Sequence, residues 1–294
     1  MSCIRTPVRH RSLAIILVGV VVMSVVWSRQ LLATGSPRLD TVKSFAFAIG
    51  DGCLDGDVGD KLGAFDLVIV DGEAVTVEQV RTLHQHGVLV LAYLSVGTIE
   101  NWRWWYKAVK RYRLDYWGDW GEWYADTSKA GYRKVLRNRV APWMLAKGID
   151  GLFLDNTDMI SDHPRQAPGM RKLVHALSLL VHGRNGFLFS QNGEEVIGPS
   201  LADYDGWNRE DVTSTYDFDN DRYLLQGPED VQAALDALRK VSGAGLLVMA
   251  TDYAAGGDSA TEQKAISNAC SAGALPYVSD IGLTRIPEGP FTCP

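Results

Sequence analysis

Gly151-Leu152-Phe153-Leu154-Asp155-Asn156-Thr157-Asp158 is a short apolar run closed by acids and an amide. No polar residue interrupts positions 151–154, so the segment reads as a strand buried on both faces, the pattern of a parallel sheet covered by helices. A carboxylate set directly after such a run costs several kcal/mol if it is buried without a partner. Asp155 and Asp158 therefore point to a polar cavity at the carboxyl end of this strand.

Seven runs of related character flank it. FAFAI (45–49), DLVIV (66–70) and VLVLAYL (88–94) come before; GFLFS (186–190), DGWNR (205–209), GLLVMA (245–250) and PYVS (276–279) come after. Helical patterns lie between them. Val77, Val80 and Leu83 share a face before Gly87, and Pro228-Glu229-Asp230 opens a helix carrying Val231, Ala234, Leu235 and Leu238. Further helices fit 131–147, 169–182 and 260–272. Eight strands alternating with helices predict an α/β fold, a single (β/α)8 TIM barrel. A doubly wound sheet is the competing architecture, but no G-x-G-x-x-G turn follows the first strand.

The chain has 294 residues, enough for one large core. Residues 1–33 stand apart from the barrel domain, 34–294. Arg5, Arg9 and Arg11 precede an apolar run from Leu13 to Trp27, the order of an export signal or a retained membrane anchor. The barrel is therefore expected outside the cytoplasm: secreted, periplasmic, or held at the outer face of a membrane through residues 13–27. Removing Arg5, Arg9, Arg11 and Arg29, with no acid among residues 1–33, takes the net charge from −6 to −10. That charge, without a Lys/Arg-rich stretch, excludes nucleic acid as a natural partner and suits a neutral or cationic one. Cys53, Cys270 and Cys293 remain after the leader, allowing at most one disulfide. Strands one and eight are neighbours in a closed barrel, which favours Cys53–Cys293; three unpaired thiols are the alternative.

Barrel active sites gather at the carboxyl ends of the strands. The second run ends at Asp71, the fourth at Asp155-Asn156-Thr157-Asp158, the fifth at Gln191-Asn192, the sixth at Glu210-Asp211, the seventh at Asp252-Tyr253 and the eighth at Asp280. Any one of these could merely cap the next helix. Capping does not call for glutamate at 210 or for two aspartates three apart. Two carboxylates facing one bond are what glycosidic cleavage requires, one to protonate the leaving oxygen and one to attack the anomeric carbon or activate water. Asp155 and Glu210 are the candidate catalytic pair.

Trp102, Trp104, Trp105, Trp117, Trp120 and Trp123 crowd an otherwise irregular stretch, 95–130. They form either a packed lid or stacking surfaces for sugar rings, and Trp102 and Trp123 are the expected sugar contacts. No metal site is assigned: Asp51, Asp55, Asp57 and Asp60 miss the calcium-loop pattern, and the histidines show no H-E-x-x-H pairing. No cofactor is expected. Neither a G-x-S-x-G elbow nor a P-loop is present.

Tyr93-Leu94-Ser95-Val96-Gly97 with Glu100, Trp102 and Arg103, followed by Gly151 to Asp158, resembles glycoside hydrolase family 114 over roughly residues 45–285. The resemblance implies an endo-α-1,4-polygalactosaminidase-like (β/α)8 barrel acting on an amino-sugar polysaccharide, with a catalytic Asp after strand four and a Glu after strand six. Asp155 and Glu210, the latter at the end of Ala202–Glu210, occupy those positions. It further implies a substrate pocket built from Asp71, Tyr93, Glu100, Trp102, Trp123, Asp126, Asn156, Asp158, Asn192, Asp252 and Tyr253. Ser190-Gln191 departs from the Leu-Lys that many members carry before the asparagine. A non-catalytic polysaccharide-binding protein on the same barrel is the reading from another class.

Overall fold

A computed structural model describes residues 39–194 and 197–293. The leader assigned to 1–33 lies outside the described residues, among which no helix is long and apolar enough to cross a membrane.

The run at 45–49 forms β1 (Phe45–Ala48). The others form β2 (Leu67–Asp71), β3 (Leu89–Ser95), β4 (Gly151–Asp155), β5 (Phe187–Gln191), β6 (Gly206–Glu210), β7 (Leu247–Tyr253) and β8 (Leu275–Ser279). They pair in that order, each parallel to the next. At the seam, the Tyr277 hydroxyl donates to the Phe47 carbonyl at 3.2 Å, and the Phe45 and Tyr277 rings lie 5.3 Å apart. Side chains rather than a backbone ladder bring β8 back to β1. Phe47 also meets Phe153 at 5.3 Å. Since β1 and β4 are not neighbours, that contact runs through the lumen, which is filled as a TIM barrel requires.

Helices cover the outside. Thr76 and Gln79 make a reciprocal capping box that starts Val77–Gln85. Ala167–His182, Pro228–Gly243 and Ser259–Ser271 turn their apolar stripes to the sheet. The stretch expected as one helix, 131–147, runs Ala130–Val135, then a wider π turn at Leu136–Val140, then Ala141–Leu145. Pro142 has no N–H to offer the carbonyl one turn back, and the wide turn stands directly before it.

Two features depart from the sequence reading. Residues 95–130 are not irregular: Thr98–Ile99, Glu122–Ala125 and Arg113–Trp117 make a three-stranded antiparallel sheet over the mouth. A hairpin, Ser214–Asp217 with Arg222–Leu225, follows β6. The disulfide is also corrected: Cys270 pairs with Cys293, and Cys53 is a buried free thiol. Cys53 does stand beside the chain that follows β8, but it meets the carbonyls of Leu283 and Thr284, at 3.3 and 3.5 Å. From there the chain runs on to the helix Ser259–Ser271, where Cys293 meets Cys270.

Candidate active site

Three consecutive strands end in the same way. Asn156 after β4, Asn192 after β5 and Asp211 after β6 all have left-handed backbones, with φ of 57°, 48° and 56°. Asn and Asp tolerate this region better than other side-chain-bearing residues. The β3 loop passes so close to this turn that a Cβ on Gly97 would lie 1.8 Å from the Asn156 carbonyl oxygen, so only glycine fits there.

Asp155 and Glu210, on β4 and β6, face one cavity of about 760 Å³, within the ~300–1,000 Å³ range of small-molecule sites. Asp155 Oδ2 accepts from the Tyr93 hydroxyl at 2.6 Å and from the Asn156 side-chain amide at 3.1 Å. Its Oδ1 accepts from the Asn156 backbone N–H at 2.7 Å. Burial, and after it the charge of Glu210, pushes the Asp155 carboxyl well above the ordinary carboxylate range. Glu210 Oε2 accepts from the Asn192 amide at 2.9 Å, and its Oε1 accepts from the Tyr253 hydroxyl. Beneath them, Asn208 donates to Gln191 Oε1 at 2.7 Å and accepts from Thr251 at 3.0 Å. This polar layer separates the carboxylates from the aromatic filling below.

On the β2–β3 side, buried Arg103 grips Glu100 through two nitrogens, at 2.7 and 2.8 Å, and Asp71 Oδ2 at 2.6 Å. Lys147 donates to the carbonyls of Gly72, Glu73 and Val75 at 2.8–2.9 Å, holding the loop that follows Asp71. Eight acids line the cavity, Asp51, Asp71, Glu100, Glu122, Asp155, Asp158, Asp162 and Glu210, against Arg103 among the described residues.

Residues 32–290 match the profile of glycoside-hydrolase family GH114. The chain belongs to this family. The fold of the GH114 barrel is similar to the glycoside hydrolase domain of PelA from Pseudomonas aeruginosa, at 20% identity and a TM-score of 0.68, covering 84% of this chain and 97% of that one. Ega3 from Aspergillus fumigatus, solved in complex with galactosamine, is similar at 17% identity and a TM-score of 0.66, covering 88% and 98%. Among curated sequences, the uncharacterized protein MJ1477 of Methanocaldococcus jannaschii is 24% identical over 228 residues, 69% of this chain. The chain spans 64% of the length of that relative.

Within the GH114 cavity lie Asp71, Tyr93, Glu100, Trp102, Asp155, Asn156, Asp158, Asn192, Glu210 and Tyr253. Three further expected contacts are not in its lining. Trp123 packs between Arg113 and Tyr116, with the guanidinium 4.7 Å from its ring centroid. Asp126 pairs with Ser128 and with Lys129 at 3.5 Å. Asp252 is 1% exposed and accepts from the backbone N–H groups of Thr213 and Ser214 at 2.6 and 2.8 Å.

Strand alternation explains two of these. In Glu122–Ala125 the cavity receives Glu122 and Tyr124, which leaves Trp123 on the opposite face; in β7 it receives Tyr253, which leaves Asp252 turned away. The same parity could have found Glu122. Trp117, Trp120 and Asp162 also line the cavity without having been singled out for it. Trp117 stacks on Tyr124 at 5.4 Å and 9°, and Trp120 reaches Phe218 of the hairpin at 5.4 Å.

Proposed function

We propose that this GH114 barrel hydrolyses a polysaccharide containing α-1,4-linked galactosamine, attacking within the chain, with Asp155 and Glu210 as its working carboxylates. The observation that carries this reading is that the two acids stand at the ends of β4 and β6 and line one cavity. Two carboxyls facing one cleft are the equipment of glycosidic cleavage. The eight-to-one excess of acids over the arginine in the lining favours a cationic amino sugar. Ega3, which shares the fold, was solved with galactosamine. Trp102, 56% exposed at the rim, offers a flat face for a sugar ring.

In this reading Asp155 attacks or stabilises the anomeric carbon and Glu210 protonates the leaving oxygen. An ammonium-bearing sugar entering the cavity favours the ionised form of Asp155, countering the burial that opposes it. Burial, which raises the Asp155 carboxyl and so opposes its ionisation in the empty cavity, favours a second reading with the roles exchanged. We further propose that the enzyme works outside the cytoplasm, a reading the Cys270–Cys293 disulfide supports.

The test is product release from partly deacetylated α-1,4-galactosamine polymer, read by mass spectrometry beside a neutral α-glucan. D155N and E210Q should each abolish oligosaccharide release while leaving polymer binding intact. Turnover unchanged in both would sink the assignment, and binding without release in the parent protein would favour a non-catalytic polysaccharide-binding role. Aryl glycosides with good leaving groups separate the two role assignments, since only the variant lacking the acid keeps turnover on them.

A further inference from the structure

Glu122 is a buried carboxylate that the proposed chemistry does not use. It stands 7% exposed on the small sheet over the mouth. A line of polar groups joins it to Asp155. Thr98 Oγ1 donates to Glu122 Oε2 at 2.5 Å, and the hydroxyls of Thr98 and Ser95 lie 2.5 Å apart. The Asn156 amide nitrogen then reaches Ser95 Oγ at 3.0 Å and Asp155 Oδ2 at 3.1 Å.

Each hydroxyl has one proton to donate, so the direction of the whole line follows from its end. With Glu122 ionised, Thr98 donates to Glu122 and Ser95 donates to Thr98. Ser95 then accepts from Asn156, whose amide nitrogen faces Asp155. With Glu122 protonated, the carboxylic acid donates to Thr98, Thr98 donates to Ser95, and the Ser95 proton turns toward Asn156. The side-chain amide meets that proton best with its oxygen, and Asp155 then loses its amide donor.

We propose that Glu122 is a positioning residue whose protonation state sets the direction of the Thr98–Ser95 hydroxyl pair and, through the Asn156 amide, the hydrogen bonding of Asp155. The inference rests on the assignment of Asp155 for its bearing on catalysis, but not for the coupling itself. Burial, and then the charge of Glu100, holds the Glu122 carboxyl at about 7, so the reversal falls in the neutral range. Arg103 opposes that rise, the hydroxyls of Tyr93 and Tyr132 face the same region, and Glu210 and Asp158 act on the Asp155 end of the line.

The experiment is a carbon NMR titration of the full-length protein labelled at its Asp and Glu carboxyl carbons, with Asp155 and Glu122 assigned from D155N and E122Q. In the parent protein the Asp155 signal should show a second inflection near pH 7, tracking Glu122. E122Q should remove it, because an amide does not titrate. T98V should also remove it from Asp155 while Glu122 still titrates, since it cuts the line and leaves the through-space charge in place. S95A, which leaves only the 3.4 Å contact between the Asn156 amide and Thr98 Oγ1, should weaken the coupling if T98V folds poorly. Absence of the inflection in the parent protein, or its survival in both T98V and S95A, would overturn the proposal. The pH profile of kcat/KM should lose its limb near 7 in E122Q. A parent protein that shows the coupling but no hydrolysis would sink the catalytic reading and leave the relay standing.

Discussion

Asn192 holds Glu210 from two directions. Its side-chain nitrogen donates to Glu210 Oε2 and its side-chain oxygen accepts from the Glu210 backbone N–H, both at 2.9 Å. The same residue accepts the Trp207 indole N–H on its backbone carbonyl at 2.7 Å, so the clamp is itself anchored in the barrel wall. A carboxylate fixed at both backbone and side chain keeps its direction without help from substrate.

Replacing Asn192 with glycine, which keeps its left-handed backbone, should lower kcat/KM on the galactosamine polymer about 10–100-fold, the equivalent of roughly 1.5–3 kcal/mol for a hydrogen bond to a charged group. Steady-state kinetics beside a circular-dichroism melt would check it. A fall in activity matched by a large loss of stability would mean that Asn192 serves the barrel and not Glu210.

Acidification should stabilise the empty protein. Burial raises the carboxyls of Asp155, Glu100, Glu122 (about 7), Asp211 (about 7) and Asp252 (about 6). Each holds its proton more tightly folded than unfolded. Their contribution is complete below the unfolded value of roughly 4 and is lost as pH rises through the folded value. The melting temperature should therefore climb from pH 8 to pH 5, and D211N and D252N should each flatten the slope. A melting temperature that falls over that interval would contradict the burial argument. Asp217, half-buried, and Asp258, exposed, are both lowered by hydrogen bonding and act in the opposite sense only in stronger acid.

Cutting the Cys270–Cys293 bridge should matter more than its place near the chain end suggests. It closes 23 residues that include β8 and the cavity-lining stretch Ile281–Thr284. A loop of that length is worth about 3 kcal/mol in chain entropy, or roughly 6–12 °C in melting temperature. Calorimetry of C270S/C293S would measure it. A C53A variant should retain the bridge and most of that stability.

Lys147 should behave as a strut. Three carbonyls converge on its ammonium, which also stands 4.2 Å from the Trp143 ring centroid, and K147M would leave all three short of a donor while keeping an apolar side chain of similar length. The expected result is a loss of roughly 2–3 kcal/mol of stability and a raised KM with a smaller change in kcat, since the loop that follows Asp71 and carries Glu73 loosens. K147R should not rescue it, because a planar guanidinium cannot aim at three carbonyls from one point.

Much of this architecture was legible because strands buried on both faces advertise themselves: 45–49, 66–70, 88–94 and 151–154 fall within a residue of β1 to β4. Glu210 was harder. Its strand, Gly-Trp-Asn-Arg-Glu, is not an apolar run; a glutamate where a cap would not need one singled it out, and the family resemblance agreed. The small sheet over the mouth was missed because aromatic and charged residues fall on both of its faces, hiding the two-residue period. Trp123 and Asp252 fall outside the cavity lining, which parity counting from Glu122 and Tyr253 anticipates. The disulfide depended on the course of the chain after Thr284, which no local pattern encodes.

The left-handed turns at Asn156, Asn192 and Asp211 bear on how this active site can change over generations. A β-branched residue at any of them would cost roughly 1–2 kcal/mol before its chemistry was tried. The backbone thus acts as a censor on the gene, restricting the residues behind three mouth-lining strand ends to Asn, Asp and Gly. Variation in what the barrel recognises should accumulate instead on the rim, at positions such as Trp102 and Trp120, where the main chain imposes no such screen.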